Sequence, residues 1–205
     1  IYAGLLGKVI GVRHGSNIEG WDDEKISKVY GEINGYLFDF KNFAADDDTN
    51  GAIFFIRALE DYEQEEELTA EHIAMTCLNY VPYEHGFFWW GPYGKSTEST
   101  AYHNLRKGIM PPRSGSIKQN GPTIAEQVGG QIFIDSWGLA IPGNPKLAAY
   151  YACKAASVTH DRNGIYGGMF IAACISAAFI EQDIRKIMEE GLSVIPEDSE
   201  YSIMI

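Results

Sequence analysis

The sequence predicts an all-α fold, a multi-helix bundle with a loop-rich middle. Apolar residues recur at helical spacing in four blocks, two-residue alternation is scarce, and proline and glycine gather in one long central stretch. The first block covers residues 1–11, where Gly4, Gly7 and Gly11, with Gly15 beyond them, allow a close backbone approach or end the helix. The second opens after Asp46-Asp47-Asp48 and covers residues 49–59, with Ile53, Phe54, Ile56 and Leu59 as its apolar face. Its acidic start suits a helix N-terminus, where carboxylates meet free amides and the positive end of the dipole. Residues 60–67 hold six acids in eight positions and predict a solvated connection. Thr69 caps a third block at residues 70–80, with Ile73, Ala74, Cys77 and Leu78 facing inward.

From residue 81 to 144 the pattern breaks. This stretch holds six of the eight prolines, so loops with short helices are expected, and an irregular segment of this length usually carries function. The fourth block is the clearest: Asn144 caps, Pro145 takes the first helical position, and residues 146–159 follow. A loop at residues 160–164 leads to an alanine-rich helix, expected from about Tyr166 through Phe179 and on towards Glu190. Its small residues, among them Gly167, Gly168, Ala172 and Ala173, predict tight packing in the middle of the bundle.

The chain has 205 residues, 45% apolar and 21% charged, enough for one globular domain with a real core. Lysine and arginine number 16 against 28 aspartates and glutamates, giving a formal charge of −12. Such an excess repels nucleic-acid phosphates and anionic membrane surfaces, so neither is an expected partner. No run approaches the roughly 18 apolar residues of a membrane span. The apolar start carries Lys8 and lacks a basic leader, so it reads as a helix of the domain. Cys77, Cys153 and Cys174 are odd in number, widely spaced and free of any CxxC pattern, which predicts reduced thiols of a cytoplasmic protein. The chain begins at Ile1 and stops at Ile205 after the turn signal Pro196-Glu197-Asp198-Ser199. Residues 1–205 are therefore expected to be the amino-terminal part of a larger all-α domain.

Asp46-Asp47-Asp48-Thr49-Asn50 is the motif with the sharpest chemistry. Three adjacent carboxylates at one helix start repel one another unless water or a cation takes up the charge, and an all-oxygen set points to magnesium, manganese or calcium. A solvated, capped helix start is the plain alternative. An EF-hand loop matches at Asp46, Asp48, Asn50, Gly51 and Ile53 but fails at its twelfth position, which is Arg57. A phosphatase-type DxDx[TV] signature fails at Asn50 and lacks a buried strand before it.

The chain resembles the ADP-ribosylglycohydrolase family. That family's order is a glycine-rich first helix, an acidic residue beyond it, then an acidic-acidic-threonine motif opening the next helix. Here these are residues 4–11, Glu19, and Asp46-Asp47-Asp48-Thr49. The family's proline-initiated helix ending in Thr-His, its glycine loop and its alanine-rich helix match Asn144-Pro145, Thr159-His160, Gly164 and the segment after it. The resemblance implies an all-α bundle with two magnesium or manganese ions that hydrolyses an N- or O-glycosidic bond of ADP-ribose. The substrate would be a small ADP-ribosyl compound or an ADP-ribosylated protein.

By position, Asp46, Asp47 and Asp48 would be metal ligands, with Glu19 and Asp47 catalytic. His160 and Asp161 would line the substrate cleft. Phosphate contacts would come from the loops at Ser114 and Gly115 and at Gly129, Gly130 and Gln131. Residues 127–133 depart from the family's Gly-Asn-Gly-Ala character, and no second Asp-x-Asp-Thr motif lies between Thr49 and Ile205. The remaining metal ligands are therefore expected on a further carboxyl-terminal segment or chain. The competing readings are a catalytically silent member that binds without turnover, and a hydrolase of a related nucleoside or sugar. His14, His72, His85 and His103 read as surface or packing residues, and Trp89, Trp90 and Tyr93 as local core or a base-stacking cluster.

Overall fold

The computed structural model describes residues 1–39, 47–81 and 91–205, and among these it contains helices and no strand. The chain forms two compact units, residues 1–45 and 46–205.

The first unit contains α1 (Tyr2–Gly15) and α2 (Asp23–Tyr30). The Asp22 carboxylate caps α2 by accepting from the Lys25 amide at 2.7 Å. Trp21 stacks on Tyr30, and the Lys25 ammonium lies 3.7 Å from the Trp21 ring centroid, which ties the α2 start to its end. No such helix was expected from apolar periodicity: α2 is short, and its caps and aromatic pair define it instead.

The second unit carries α3 (Asp47–Ile56), α4 (Ala58–Asp61), α5 (Ala70–Tyr80), α6 (Thr97–Arg106), α7 (Ile117–Asn120), α8 (Pro122–Ala125), α9 (Gly129–Ile132), α10 (Ser136–Ala140), α11 (Pro145–Ala156), α12 (Asn163–Ala177), α13 (Ile184–Leu192) and α14 (Glu200–Met204). Its centre is the pairing of α11 with α12, two helices whose contact residues are largely alanine and glycine. Ala148, Ala152, Ala155 and Ala172 join Phe133, Ile134 and the fully buried Trp137 in one apolar core. Trp137 stacks on Tyr151, and Phe55 of α3 stacks on Phe133, so α3 is anchored to the segment between α9 and α10. Gly51 makes that anchoring possible, since a Cβ there would run into the Phe133 ring.

Several elements match the sequence reading closely. Thr69 caps α5 in a reciprocal box with His72, and the Asn144 side chain accepts from the Leu147 amide at 3.2 Å ahead of Pro145. Others differ. The alanine-rich helix does not continue towards Glu190: α12 ends at Ala177, and α13 starts afresh behind Asp183. The Glu181 carboxylate accepts from the amides of Gln182 and Asp183 at 2.8 and 2.9 Å, and Asp183 accepts from Arg185. Side chains that take amides away from the helical ladder end one helix and cap the next.

The acidic run at residues 60–67 is not simply solvated. Asp61 ends α4, accepting from the Thr76 hydroxyl at 2.7 Å and the Tyr80 hydroxyl at 3.3 Å. Glu67 pairs with Lys154 and Tyr150 of α11. The central stretch also holds a ten-residue helix, α6, that apolar spacing does not reveal. Among the described residues no helix is long and apolar enough to cross a membrane.

Candidate active site

Asp47 and Asp48 occupy the first turn of α3 and are half-buried, so their carboxylates meet the positive end of a helix that Phe55 and Ala52 hold in the core. Asp46 lies outside the described residues. Among those described, no three His, Cys, Asp or Glu side chains converge closely enough to hold a metal ion. Hard carboxylate oxygens at a helix start are nevertheless the donor type that suits magnesium or manganese.

The sequence reading missed a third carboxylate. Glu98 is buried in the first turn of α6, where Ser96 caps by accepting from the Ser99 amide at 3.3 Å. The Glu98 carboxyl is raised to about 7, by burial first and then by the negative charges of Asp47 and Asp48, against the lowering effect of its own backbone amide and of a hydrogen bond with Ser96. The starts of α3 and α6 therefore share an electrostatic field. A helix that buries Thr97, Glu98, Ser99, Thr100 and Asn104 beside Ala101, Tyr102 and Leu105 has its apolar positions outnumbered by polar ones; the sequence signal available was the cap at Ser96 ahead of those three apolar residues.

The Gln127 side chain holds α6 in place. Its Oε1 accepts from the Thr97 amide at 2.9 Å and its Nε2 donates to the Lys95 carbonyl at 2.7 Å, while the Thr97 hydroxyl donates to the Ile124 carbonyl. The loop between α8 and α9 is thus stapled to the α6 start.

His160 closes the end of α11. Its backbone amide donates to the Ala156 carbonyl at 2.7 Å, and its Nδ1 lies 2.7 Å from the Thr159 hydroxyl. The ring is 1% exposed, and burial depresses it to about 3, so it is neutral. Nε2 has no hydrogen-bond partner among the described residues. A Cβ on Gly129 would overlap Glu98 Oε1 and stand 3.0 Å from His160 Nε2, so both polar atoms face the bare Cα of Gly129.

The other expected site residues have structural commitments. Asp161 accepts from the Ile117 amide and from the Arg162 amide, both at 2.9 Å, fixing the start of α7. Ser114 is fully buried; its hydroxyl donates to the Val158 carbonyl at 2.6 Å, and its own carbonyl accepts from Asn104 and Asn120. A Cβ on Gly115 would collide with the backbone of Thr159 and His160, and one on Gly130 with the Gly164 carbonyl. Packing alone accounts for the absence of a side chain at both glycines. Gln131 is half-buried against Gly167. Glu19 lies on the first unit, in the turn between α1 and α2.

The structure thus brings His160, Gly129 and Glu98 together, places Asp47 and Asp48 in electrostatic reach of Glu98, and turns Asp161 and Ser114 to holding the backbone. His72 serves as a cap, and His103 packs its ring edge-on against Tyr93. His85, Trp89 and Trp90 lie outside the described residues.

No curated protein matches the chain at a significant level. Against protein families, residues 1–204 match the ADP-ribosylglycohydrolase model, and with essentially its whole length covered the chain belongs to that family.

Proposed function

We propose that this protein is a metal-dependent hydrolase of the glycosidic bond that joins ADP-ribose to an acceptor. The observation that carries the reading is the carboxylate pair Asp47 and Asp48 at the α3 start, in a chain matched over residues 1–204 to this family. Asp46, Asp47 and Asp48 would hold magnesium or manganese, with further ligands from a carboxyl-terminal segment. Such an ion, when bound, supplies Lewis acidity and a water of lowered pKa. Departure of the acceptor builds positive charge on the ribose ring, which a cleft lined by carboxylates stabilises. Neutral His160 contributes a fixed hydrogen-bonding atom to the cleft wall. Glu19 is the carboxylate base by family position alone.

Asp47→Asn and Asp48→Asn test this reading. Each should lower Mg2+-dependent release of ADP-ribose from an ADP-ribosylated acceptor at least about 100-fold, the scale of losing one electrostatic element of a site. Turnover unchanged in both variants would sink the assignment. A second reading, hydrolysis of a related nucleoside or sugar, is favoured by one observation. The 127–133 loop commits Gln127 to holding α6 and Gly130 to packing, which leaves few groups there for a diphosphate.

A further inference from the structure

We propose that Arg162, at the tip of the loop between α11 and α12, is a substrate-contact residue that takes the diphosphate of an ADP-ribosyl ligand, the hydrolase reading above supplying the identity of that ligand. The loop starts at His160 and folds back on it, since a Cβ on Gly164 would stand 2.9 Å from His160 Cδ2. Arg162 is thus carried at the edge of the candidate site, and it is exposed. Two observations single it out. The first is its backbone: Arg162 has φ 43° and ψ −116°, and it is the one non-glycine residue with positive φ among those described. A side chain in this region is strained, and such strain persists only where the surroundings hold it. Here the Arg162 amide donates to Asp161 Oδ1 at 2.9 Å, its carbonyl accepts from the Tyr166 amide at 2.9 Å, and the next amide, that of Asn163, donates to Glu126. Glycine would adopt the same turn without strain, so the arginine side chain comes at a cost to folding.

The second observation is its charge. In a chain of −12, the Arg162 guanidinium forms no ion pair, hydrogen bond or ring contact among the described residues. The carboxylates of the neighbouring segments are committed elsewhere: Asp161 accepts from the amides of Ile117 and Arg162, and Glu126 and Glu200 share the Asn163 side chain. A planar guanidinium with five donors and no acceptor matches the geometry of a phosphate. It also supplies the positive charge that the 127–133 loop lacks, where Gln127 and Gly130 are spent on structure.

Calorimetric titration of ADP-ribose in the presence of Mg2+, paired with melting temperatures, tests the assignment. Arg162→Gly should bind about tenfold more weakly than wild type, the scale of one hydrogen bond to a charged group, while melting no lower because the strain is relieved. Arg162→Gln removes the charge but leaves the backbone as it is. It should show the same loss of about tenfold at an unchanged melting temperature, and it replaces the glycine variant if the latter loosens the loop. Both deficits should shrink as NaCl is raised, as a charge contact requires. Lys146→Gln removes a charge at the other end of α11 and should stay within about twofold of wild type. Affinity unchanged in both Arg162 variants, an equal loss in Lys146→Gln, or a loss that appears only with a fall in melting temperature overturns the inference and leaves the hydrolase reading standing. Wild type that binds ADP-ribose through Arg162 but releases none from an ADP-ribosylated acceptor bears out the contact and overturns the hydrolase reading alone. Absence of any ADP-ribose binding by wild type overturns both.

Discussion

A methyl group at residue 129 and one at residue 115 would meet different obstacles, and the difference predicts two phenotypes. At Gly115 the obstruction is the peptide backbone between Thr159 and His160, which cannot move without displacing the end of α11. Gly115→Ala should cost about 3 kcal/mol in urea unfolding, at the upper end of overpacking penalties. At Gly129 the nearest atom is the far end of the Glu98 side chain, which can swing aside. Gly129→Ala should cost only about 1 kcal/mol and instead displace Glu98, so its effect falls on ligand affinity. Equal stability losses in the two variants would contradict the packing described.

The neutral His160 gives the protein an acid sensitivity whose sign follows from burial. Its folded value of about 3 lies below its ordinary 6.5, so the unfolded chain binds the extra proton first. Stability from this group is complete above pH 6.5 and is lost as pH falls towards 3, by about 2 kcal/mol at pH 5. Glu98 works in the opposite direction: raised from 4.5 to about 7, it stabilises at low pH, and that contribution is lost as pH rises through about 7. The two offset one another in wild type between pH 4.5 and 6.5. Glu98→Gln should therefore expose the His160 dependence, with a melting temperature that falls markedly more than wild type's between pH 7 and pH 5.

At the scale of elements, α6 is where sequence and structure part most. Five of its eight buried residues are polar, and Thr97 and Asn104 are held in the interior by hydrogen bonds to other segments, a form of stabilisation that hydrophobic periodicity does not register. By contrast α5 and α11 were legible because their caps, Thr69 and Asn144, stand one residue ahead of clean apolar spacing. The same cause explains the candidate site. Asp47, Asp48 and His160 were visible through motif order, whereas Glu98 belongs to no motif and gains its meaning from the approach of α6 to α9. Gln127→Ala removes the two bonds that Gln127 makes at the α6 start, leaving the buried Thr97 amide without its Gln127 acceptor while the Thr97 hydroxyl keeps its bond to Ile124. It should lower stability by about 2 kcal/mol in urea unfolding and weaken ADP-ribose binding along with it.

At the scale of the molecule, the charge of −12 makes any cation stabilising to some degree through screening, so a metal site has to be recognised as an excess over that background. MgCl2 should raise the melting temperature by several degrees more than NaCl at matched ionic strength, as expected when a ligand binds only the folded state. Asp47→Asn should bring the two salts level. The order of motifs in the sequence was enough for the fold class and the family, because helices with strong caps and small-residue faces leave few ways to pack. What the order did not contain was the break after Ala177, where Glu181 and Asp183 redirect the backbone amides.

The alanine- and glycine-lined contact between α11 and α12 carries a consequence in time as well as in space. Backbones packed so closely, in the centre of the core, open to water only when the unit as a whole unfolds. The amide protons of Ala155 and Ala172 should therefore be among the last to exchange in heavy water, while those of the one-turn α7 and the short α14 exchange early.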